Sequence, residues 1–232
     1  MNNAPSPISR RERLRVQTLQ EIDDASFAII DADGVEALSI SAIARSMAMS
    51  APAFYRYFPS RDALVAHLVT LSYQQLTTAM SQAVAAGDQE PRARVQVLVG
   101  AYRDWALGHP RRYGMLFSER AAALPKSVTT QTPLDQAMTL LIDMVMAVQD
   151  APPADSTGDT DLDGQLRLWA RTQERPDTPP SAARAALLIW TRVHGVVSLE
   201  LTGVFDAQTF QAQRLIDLEI DDALRSLRPA DA

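Results

Sequence analysis

Residues 39–64 read SISAIARSMAMSAPAFYRYFPSRDAL, and the spacing in that string predicts two short helices joined by a tight turn. Ser39 stands where an N-cap belongs, because a serine hydroxyl accepts from a first-turn amide that has no partner inside the helix. Ile40, Ile43, Ala44 and Met47 follow at helical intervals, and the small Ala44 lets a second helix cross closely. Ala48-Met49-Ser50 makes the turn, with Met49 plugging the junction. Ser50 caps the next helix, and Pro52 lies in its first turn, where a missing amide proton costs little. Phe54 and Phe58, four apart, point inward together. Ser50, Ala51, Pro52, Ala53, Tyr55, Arg56 and Tyr57 are left as the leading and outer surface. The helix stops at Phe58-Pro59, and Ser60 caps a longer one with Asp62 beside its positive end. An exposed helix braced by another behind it is the form that enters the major groove of DNA.

The same periodicity extends outward. Leu19, Ile22, Ala25, Ile29 and Ile30 share one face of a preceding helix that Gly34 ends. Leu64, Leu68, Leu71, Leu76, Ala79 and Ala83 line the inner side of the fourth helix. After a break at 87–91, Val95, Leu98, Val99, Tyr102 and Trp105 mark a helix ending at His109-Pro110. RRYGMLF follows as a shorter piece, then an apolar, methionine-rich helix from Leu134 to Val148. Residues 149–164 are acidic and contain proline and glycine, which predicts a flexible loop. Leu166, Leu168 and Trp169 open another helix, closed by Pro176, Pro179 and Pro180. Two long helices finish the chain, about Ser181–Thr202 and Asp206–Leu227. No strand alternation occurs. The expected fold is all-α, with a three-helix helix-turn-helix DNA-binding domain over 1–60 and a helical regulatory and dimerisation domain over 61–232.

Composition narrows the function. The 232 residues are 47% hydrophobic, enough to bury a substantial core. Cysteine is absent, which excludes disulfides and thiolate metal sites. His67, His109 and His194 stand far apart, so no metal and no cofactor are expected. No apolar run approaches the roughly 20 residues of a membrane span. MNNAPSPISRRERLR lacks the apolar segment of a signal peptide, which makes a cytoplasmic protein the expectation. The net charge of −6 argues against nucleic acid for the molecule as a whole. The distribution argues the other way: Arg10, Arg11, Arg13 and Arg15 crowd one end, Arg45, Arg56 and Arg61 recur nearby, and Asp150, Asp155, Asp159, Asp161 and Asp163 lie elsewhere. Scattered arginines read alone would simply be a solvated surface.

The segment resembles the TetR family of bacterial regulators. That signature runs Thr/Ser, Ile-Ala, a turn ending in Val-Ser, a small residue, then Tyr-x-His-Phe before Lys/Arg-Glu/Asp-x-Leu. The chain supplies Ser39, Ile43-Ala44, Met49-Ser50, Pro52, Tyr55-Arg56-Tyr57-Phe58 and Arg61-Asp62-Ala63-Leu64, and Ile30-Asp31-Ala32-Asp33-Gly34 fits the end of the preceding helix. It departs at Ala48, which replaces the usual turn glycine and is either free of positive φ or mildly strained. Tyr57 stands where histidine is common. Ala51 replaces a long polar residue, leaving methyl contacts to thymine at Ala51 and Ala53. The resemblance implies phosphate contacts from Ser39 and Ser50 and backbone clamps at Tyr55, Tyr57 and Arg61. It implies base-facing roles for Ser41, Ala51, Pro52 and Ala53, and either kind of contact for Arg45 and Arg56. Tyr55 could instead be a packed aromatic at the domain junction, and Arg56 a solvated side chain. The basic arm around Arg10–Arg15 would reach flanking backbone or minor groove.

Trp190-Thr191-Arg192-Val193-His194-Gly195, Leu199-Glu200-Leu201 and His109-Pro110-Arg111-Arg112-Tyr113 resemble a C-terminal domain type of that family with a Trp…His-Gly signature, which senses small molecules. The resemblance implies a homodimer built on the two C-terminal helices. Leu187, Trp190, Thr191, His194, Val197, Ser198 and Leu201 fall on one face, and Phe210, Ile216, Ile220, Ala223, Leu224 and Leu227 on the other. The alternative is that these faces only close the chain's own core. Tyr102, Trp105, Met115, Phe117, Met138, Leu141, Met144 and Trp190 supply aromatic and thioether surface for an apolar ligand, with His194 as a hydrogen-bonding group. Ordinary core is the other reading of each.

The leading function is a repressor released from a double-stranded operator by a small apolar effector, which would move the fourth helix and splay the two heads. An activator of the same fold, or a helical carrier of apolar molecules, are the alternatives. An acid–base pair of His194 with Glu200 or Asp206, or one around His109, would make an enzyme. Residues 194 and 200 fall on different helix faces, however, and no nucleophile elbow, phosphate loop or metal spacing appears. No catalytic residue is expected.

Overall fold

The computed structural model describes residues 9–86, 90–118, 133–148, 155–205 and 210–227. Among the described residues the regular structure is helical throughout. The α-helices are α1 (Arg10–Asp33), α2 (Ile40–Ser46), α3 (Ala51–Tyr55), α4 (Arg61–Ala85), α5 (Pro91–Gly108), α6 (Pro110–Leu116), α7 (Pro133–Ala147), α8 (Thr160–Thr172), α9 (Pro180–Leu201) and α10 (Ala212–Arg225), with a 3-10 turn at Val35–Ala37. They sort into two compact units. The first holds α1–α3, α4 as far as Ser72, and α6 from beyond His109. The second holds the rest of α4 from Tyr73, α5 and α7–α10.

Serine side chains start α1 through α4, and a glycine stops the first of them. The hydroxyls of Ser9, Ser39, Ser50 and Ser60 accept from the amides of Glu12 (3.2 Å), Ala42 (3.4 Å), Ala53 (3.4 Å) and Ala63 (3.1 Å). Each satisfies one amide left over at a helix start and contributes about 1 kcal/mol. Gly34 ends α1 at φ 85°, its amide bonded to the Ile30 carbonyl at 2.8 Å. The buried face of α1 is Ile22, Asp23, Ser26, Phe27 and Ile30, while Leu19, Ala25 and Ile29 of the expected face are half-buried. Two polar residues enter that face because both have partners. Ser26 donates to the Ile22 carbonyl at 2.7 Å, and Asp23 Oδ1 lies 2.9 Å from His67 Nε2.

In the second unit α9 is the hub, packing against α5, α7, α8 and α10. Its first half carries Ala182, Ala183, Ala185 and Ala186, all fully buried, and side chains of one carbon let neighbouring helices approach closely. Ion pairs join helices around this hub: Arg103 to Glu200 at 2.8 and 2.5 Å, Arg192 to Glu219 and Asp222 at 2.9 and 2.8 Å, and Arg92 to Asp221.

The expected loop over 149–164 is corrected from residue 160 onward. Residues 149–154 lie outside the described residues, but α8 already begins at Thr160. Asp159 caps it by accepting from the amides of Asp161 and Leu162, both at 3.0 Å. Asp163 is buried and accepts from Ser156 Oγ (2.6 Å), Thr157 Oγ1 (2.7 Å) and the Thr157 amide (2.8 Å). The hydrogen bond from Ser156, then those from Thr157, hold its carboxyl below the usual range. An acidic, polar composition suggested a loop; here it builds a helix cap. Of the last expected helix, 206–209 lie outside the described residues, Phe210 and Gln211 are not helical, and α10 starts at Ala212. Among the described residues no helix is long and apolar enough to cross a membrane.

Candidate nucleic-acid interface and interior cavity

In the first unit α2 and α3 meet at a turn whose geometry is set by backbone hydrogen bonds. The Met49 amide bonds to the Ala44 carbonyl at 2.8 Å and the Ala48 amide to the Arg45 carbonyl at 3.1 Å. Ala48 takes φ 53°, in the left-handed region. The turn therefore needs positive φ, and alanine meets the need at some strain. Phe54 is fully buried, Phe58 nearly so, and their rings lie 6.1 Å apart. Phe58 also packs on His67 at 5.0 Å. Because α3 is anchored by its inner side, its outer side is held out to solvent.

Ser41, Arg45, Ser50, Ala51, Pro52, Tyr55 and Arg56 are exposed, Tyr55 to 50%; Ser39, Ala53, Tyr57 and Arg61 are half-buried. Tyr55 is thus not the packed aromatic of the alternative reading. The first-unit residues named from the sequence do share one region, α2–turn–α3 and the start of α4, yet their surroundings differ. Ser39 and Ser50 have their oxygens engaged as caps, and Ser39 also bonds to Ser41 at 3.0 Å. Arg61 turns inward: Nε donates to the Leu38 carbonyl at 3.0 Å and Nη2 to the Val35 carbonyl at 2.6 Å, with Glu36 at 3.3 Å. Its fork ties the segment between α1 and α2 to α4, so its first role is to set the frame. Tyr57 carries the Arg15 guanidinium over its ring, 5.7 Å from the centroid. Arg15 is not on a loose arm, because α1 is helical from Arg10 onward. That placement was missed; the basic run was visible, but its continuation of α1 needed the cap at Ser9. Elsewhere in this unit Arg112 grips Asp31 at 2.8 and 2.5 Å and lies 4.1 Å over the Phe27 ring, fastening α6 to α1.

The second unit encloses a cavity of about 20 Å³. Leu98, Val99 and Tyr102 line it from α5, Ala137, Met138 and Leu141 from α7, and Ile189, Trp190 and Val193 from α9, each set at i, i+1 and i+4. Met80 of α4 completes the wall. Tyr102, Met138, Leu141 and Trp190 are therefore brought together as expected. Trp105 and Met144 are buried but outside the lining, and Met115 and Phe117 belong to the first unit, so these four are corrected to core or other positions. Their residue types suggested a pocket; only the helix faces decide who lines it. His194 does not line the wall. Its Nδ1 lies 3.0 Å from the Tyr102 hydroxyl, and its ring stacks on Trp190 at 5.8 Å and 18°. Burial pushes the imidazole below its usual pKa, favouring the neutral ring, whose Nδ1 shares a hydrogen bond with the Tyr102 hydroxyl in a direction set by the tautomer. Glu200 is held by Arg103, so the imagined His194–Glu200 pair does not form.

The faces assigned to dimerisation also separate. Val197, Ile216, Ile220, Ala223, Leu224 and Leu227 are buried within the chain and close its own core. Leu199 and Leu218 face outward, at 46% and 64% exposure, and Phe210 is exposed before α10. A Cβ added at Gly195, one turn before Leu199, would meet nothing within 4 Å.

Comparison with known proteins matches both parts of the chain. Residues 22–68 match the family described as bacterial regulatory proteins, tetR family, and residues 95–223 match the tetracyclin repressor-like C-terminal domain. An HTH-type transcriptional regulator of Mycobacterium tuberculosis is 28% identical over 201 residues, covering 76% of this chain and 82% of its own length. A counterpart in Mycobacterium bovis matches to the same extent. Among solved structures, a regulatory protein, SCO4313, superposes with a TM-score of 0.75 at 33% identity, covering 94% of this chain and all of that one. A protein of unknown function from a Rhodococcus species shares the fold, with a TM-score of 0.64 at 22% identity over 97% of this chain and 99% of its own.

Proposed function

The chain belongs to the TetR family of bacterial transcriptional regulators, and from that premise we propose that it is a homodimeric repressor released from its operator by a small apolar effector. The observation that carries the reading is the exposure of Ala51, Pro52, Tyr55 and Arg56 on a helix whose Phe54 is wholly buried. Such a surface is rigid and polar-edged, and its leading end is built of small residues that can approach base edges. Ala51 and Ala53 offer methyl groups, so thymine contacts and duplex shape would dominate readout there. Arg45 and Arg56 supply charge for phosphates or bases, and Arg61 supports the head from within.

One such head covers few base pairs, and two related by a twofold axis read successive major grooves about 34 Å apart. The outward Leu199, Leu218 and the open space at Gly195 support a partner on α9 and α10. Gly195→Leu is expected to leave the chain folded and shift its mass by light scattering from twice the chain towards once. A variant that stays dimeric removes this face from the reading.

The effector reading rests on the cavity wall, which carries no charged side chain. About 20 Å³ holds little more than one water-sized group, whereas ligand sites run to ~300 Å³ and more. An effector must therefore push the wall apart, and Met80, Met138 and Trp190 are the members able to move. Met80 lies on α4, whose first turns belong to the reading head, so displacement there would travel along one continuous helix. The ligand shifts the balance only if it favours the displaced form. The division of labour proposed is reading by the first unit and sensing and pairing by the second, with the boundary inside α4 at Ser72–Tyr73 rather than at the expected residue 60, in a cytoplasmic protein.

Selection of bound duplexes from a random DNA pool tests the whole reading. A recurrent inverted repeat, bound more tightly than scrambled DNA at physiological salt, is the expected outcome; no enrichment would end it. An activator would bind the same way, and a promoter-fused reporter separates the two by the sign of its response.

A further inference from the structure

We propose that Arg15 and Tyr57 act as one backbone clamp, in which the Tyr57 ring positions the Arg15 guanidinium against a phosphate and Arg11 reaches the next one along. The inference rests on the DNA-binding reading and couples two residues that the family resemblance names only separately, giving Tyr57 the task of holding Arg15. Tyr57 follows α3 directly, between Phe54 and Phe58, both buried; its amide bonds to the Phe54 carbonyl at 2.8 Å and that of Phe58 to the same carbonyl at 3.2 Å. Its ring is therefore a fixed platform at the end of the reading helix. Arg15 lies over that platform, 5.7 Å from its centroid, while remaining exposed.

The rotation of α1 places the arginines. Arg11, Arg15, Thr18 and Ile22 stand at i, i+4, i+7 and i+11, one row along a helix. Ile22 is fully buried, so the row leads from the core of the head out past Tyr57 to Arg11. The Arg15 guanidinium is thus held at the flank on which α3 ends, and Arg11 stands one turn further out on the same row. An arginine stacked on a ring keeps its charge and most of its donors while losing rotamer freedom before any ligand arrives, which lowers the cost of gripping a phosphate. In an acidic molecule of net charge −6, such local placement is what a polyanion would meet. Phosphate contacts carry no sequence information, so the clamp adds affinity without choosing the site.

Fluorescence anisotropy on a mixed-sequence duplex over a salt series reads the clamp directly. Each lost phosphate contact flattens the slope of log K against log salt by about 0.9. Arg15→Gln is expected to flatten it by that amount. Tyr57→Ala should do the same and add nothing in the double variant, whereas Tyr57→Phe, which restores the ring, should rescue it. Arg11→Gln should flatten the slope by a further step on top of Arg15→Gln. If Arg15→Gln keeps the wild-type slope, or Tyr57→Phe fails to rescue what Tyr57→Ala loses, the clamp is overturned. Wild-type protein that binds no duplex in a salt-dependent way would fail the DNA-binding reading itself, which is a different result.

Discussion

The two units hold their working residues in opposite ways. In the first, the residues proposed to meet DNA are exposed or half-buried, and what fixes them is polar and directional: four serine caps, the Arg61 fork on the Val35 and Leu38 carbonyls, Arg15 on the Tyr57 ring. In the second, the cavity wall is inside, and what surrounds it is dispersion between aliphatic, aromatic and thioether groups with one polar pair, Tyr102 and His194, at its edge. Directional bonds make a surface with one shape. Apolar packing among methionines makes an interior that can exchange one filling for another. The proposed reader needs the first and the proposed sensor the second.

The largest effect that could break this contrast is expected at Arg61. Arg61→Ala leaves two carbonyls without the donors that now join them to α4, and bonds from a charged donor contribute roughly 1.5–3 kcal/mol each where half-buried. With discount for partial exposure, a loss of about 2–3 kcal/mol in chemical denaturation is expected. Weakening of all DNA sequences alike would accompany it. Arg61→Lys should recover little, since a single ammonium cannot reproduce the fork. If Arg61→Ala keeps its stability and only the salt slope of DNA binding changes, then Arg61 is a phosphate clamp and the head is less rigidly framed than argued.

Arg61 also marks where sequence ran out. Its position beside Asp62 and Leu64 matched a family pattern, yet nothing in the string says that its side chain turns back on residues 35 and 38. Contacts within a few positions were legible: the serine caps, Phe54 with Phe58, Gly34 at the end of α1, and the α2–turn–α3 unit all follow from spacing. Contacts between distant segments were not. Met115 and Phe117 had the right chemistry for a pocket but lie on and just after α6, which packs with α1. Ile189 and Val193 were passed over beside Trp190, although their i and i+4 spacing put them on one face. The acidic residues from 160 to 164 were misread because aspartate in a loop and aspartate capping or opening a helix have the same composition.

A smaller effect tests the sensor side. The His194 imidazole has its pKa lowered in the folded chain from the ordinary value near 6.5. Between the folded value and 6.5 the unfolded chain therefore holds more protons, and stability rises with pH across that window. The contribution is complete above 6.5 and is lost as acid carries the pH down towards the folded value. Melting temperatures measured from pH 7.5 to 5.5 should fall more steeply for the wild type than for His194→Gln, which keeps a polar group at the site but cannot titrate. Parallel slopes would mean that the ring gains its proton without cost, and the interior would be wetter than its apolar wall implies.

The smallest expected effect sharpens the comparison, because among the described residues each unit contains one non-glycine residue in the left-handed region: Ala48 at φ 53° in the turn between α2 and α3, and Glu174 at φ 56° after α8. A Cβ in that conformation costs roughly 1–2 kcal/mol, and glycine avoids the cost but brings back about 0.4–1 kcal/mol of unfolded-state entropy. Both Ala48→Gly and Glu174→Gly are therefore expected to stabilise, by something on the order of 0.5 kcal/mol. The two sites differ in what else could change. The Met49 and Ala48 amides are already bonded across the α2–α3 turn, so relieving strain at 48 should leave the angle between the helices, and hence DNA affinity, where it was. If Ala48→Gly gains stability and loses operator affinity, the strain is part of the reading geometry, and alanine stands in that turn for what it does to DNA.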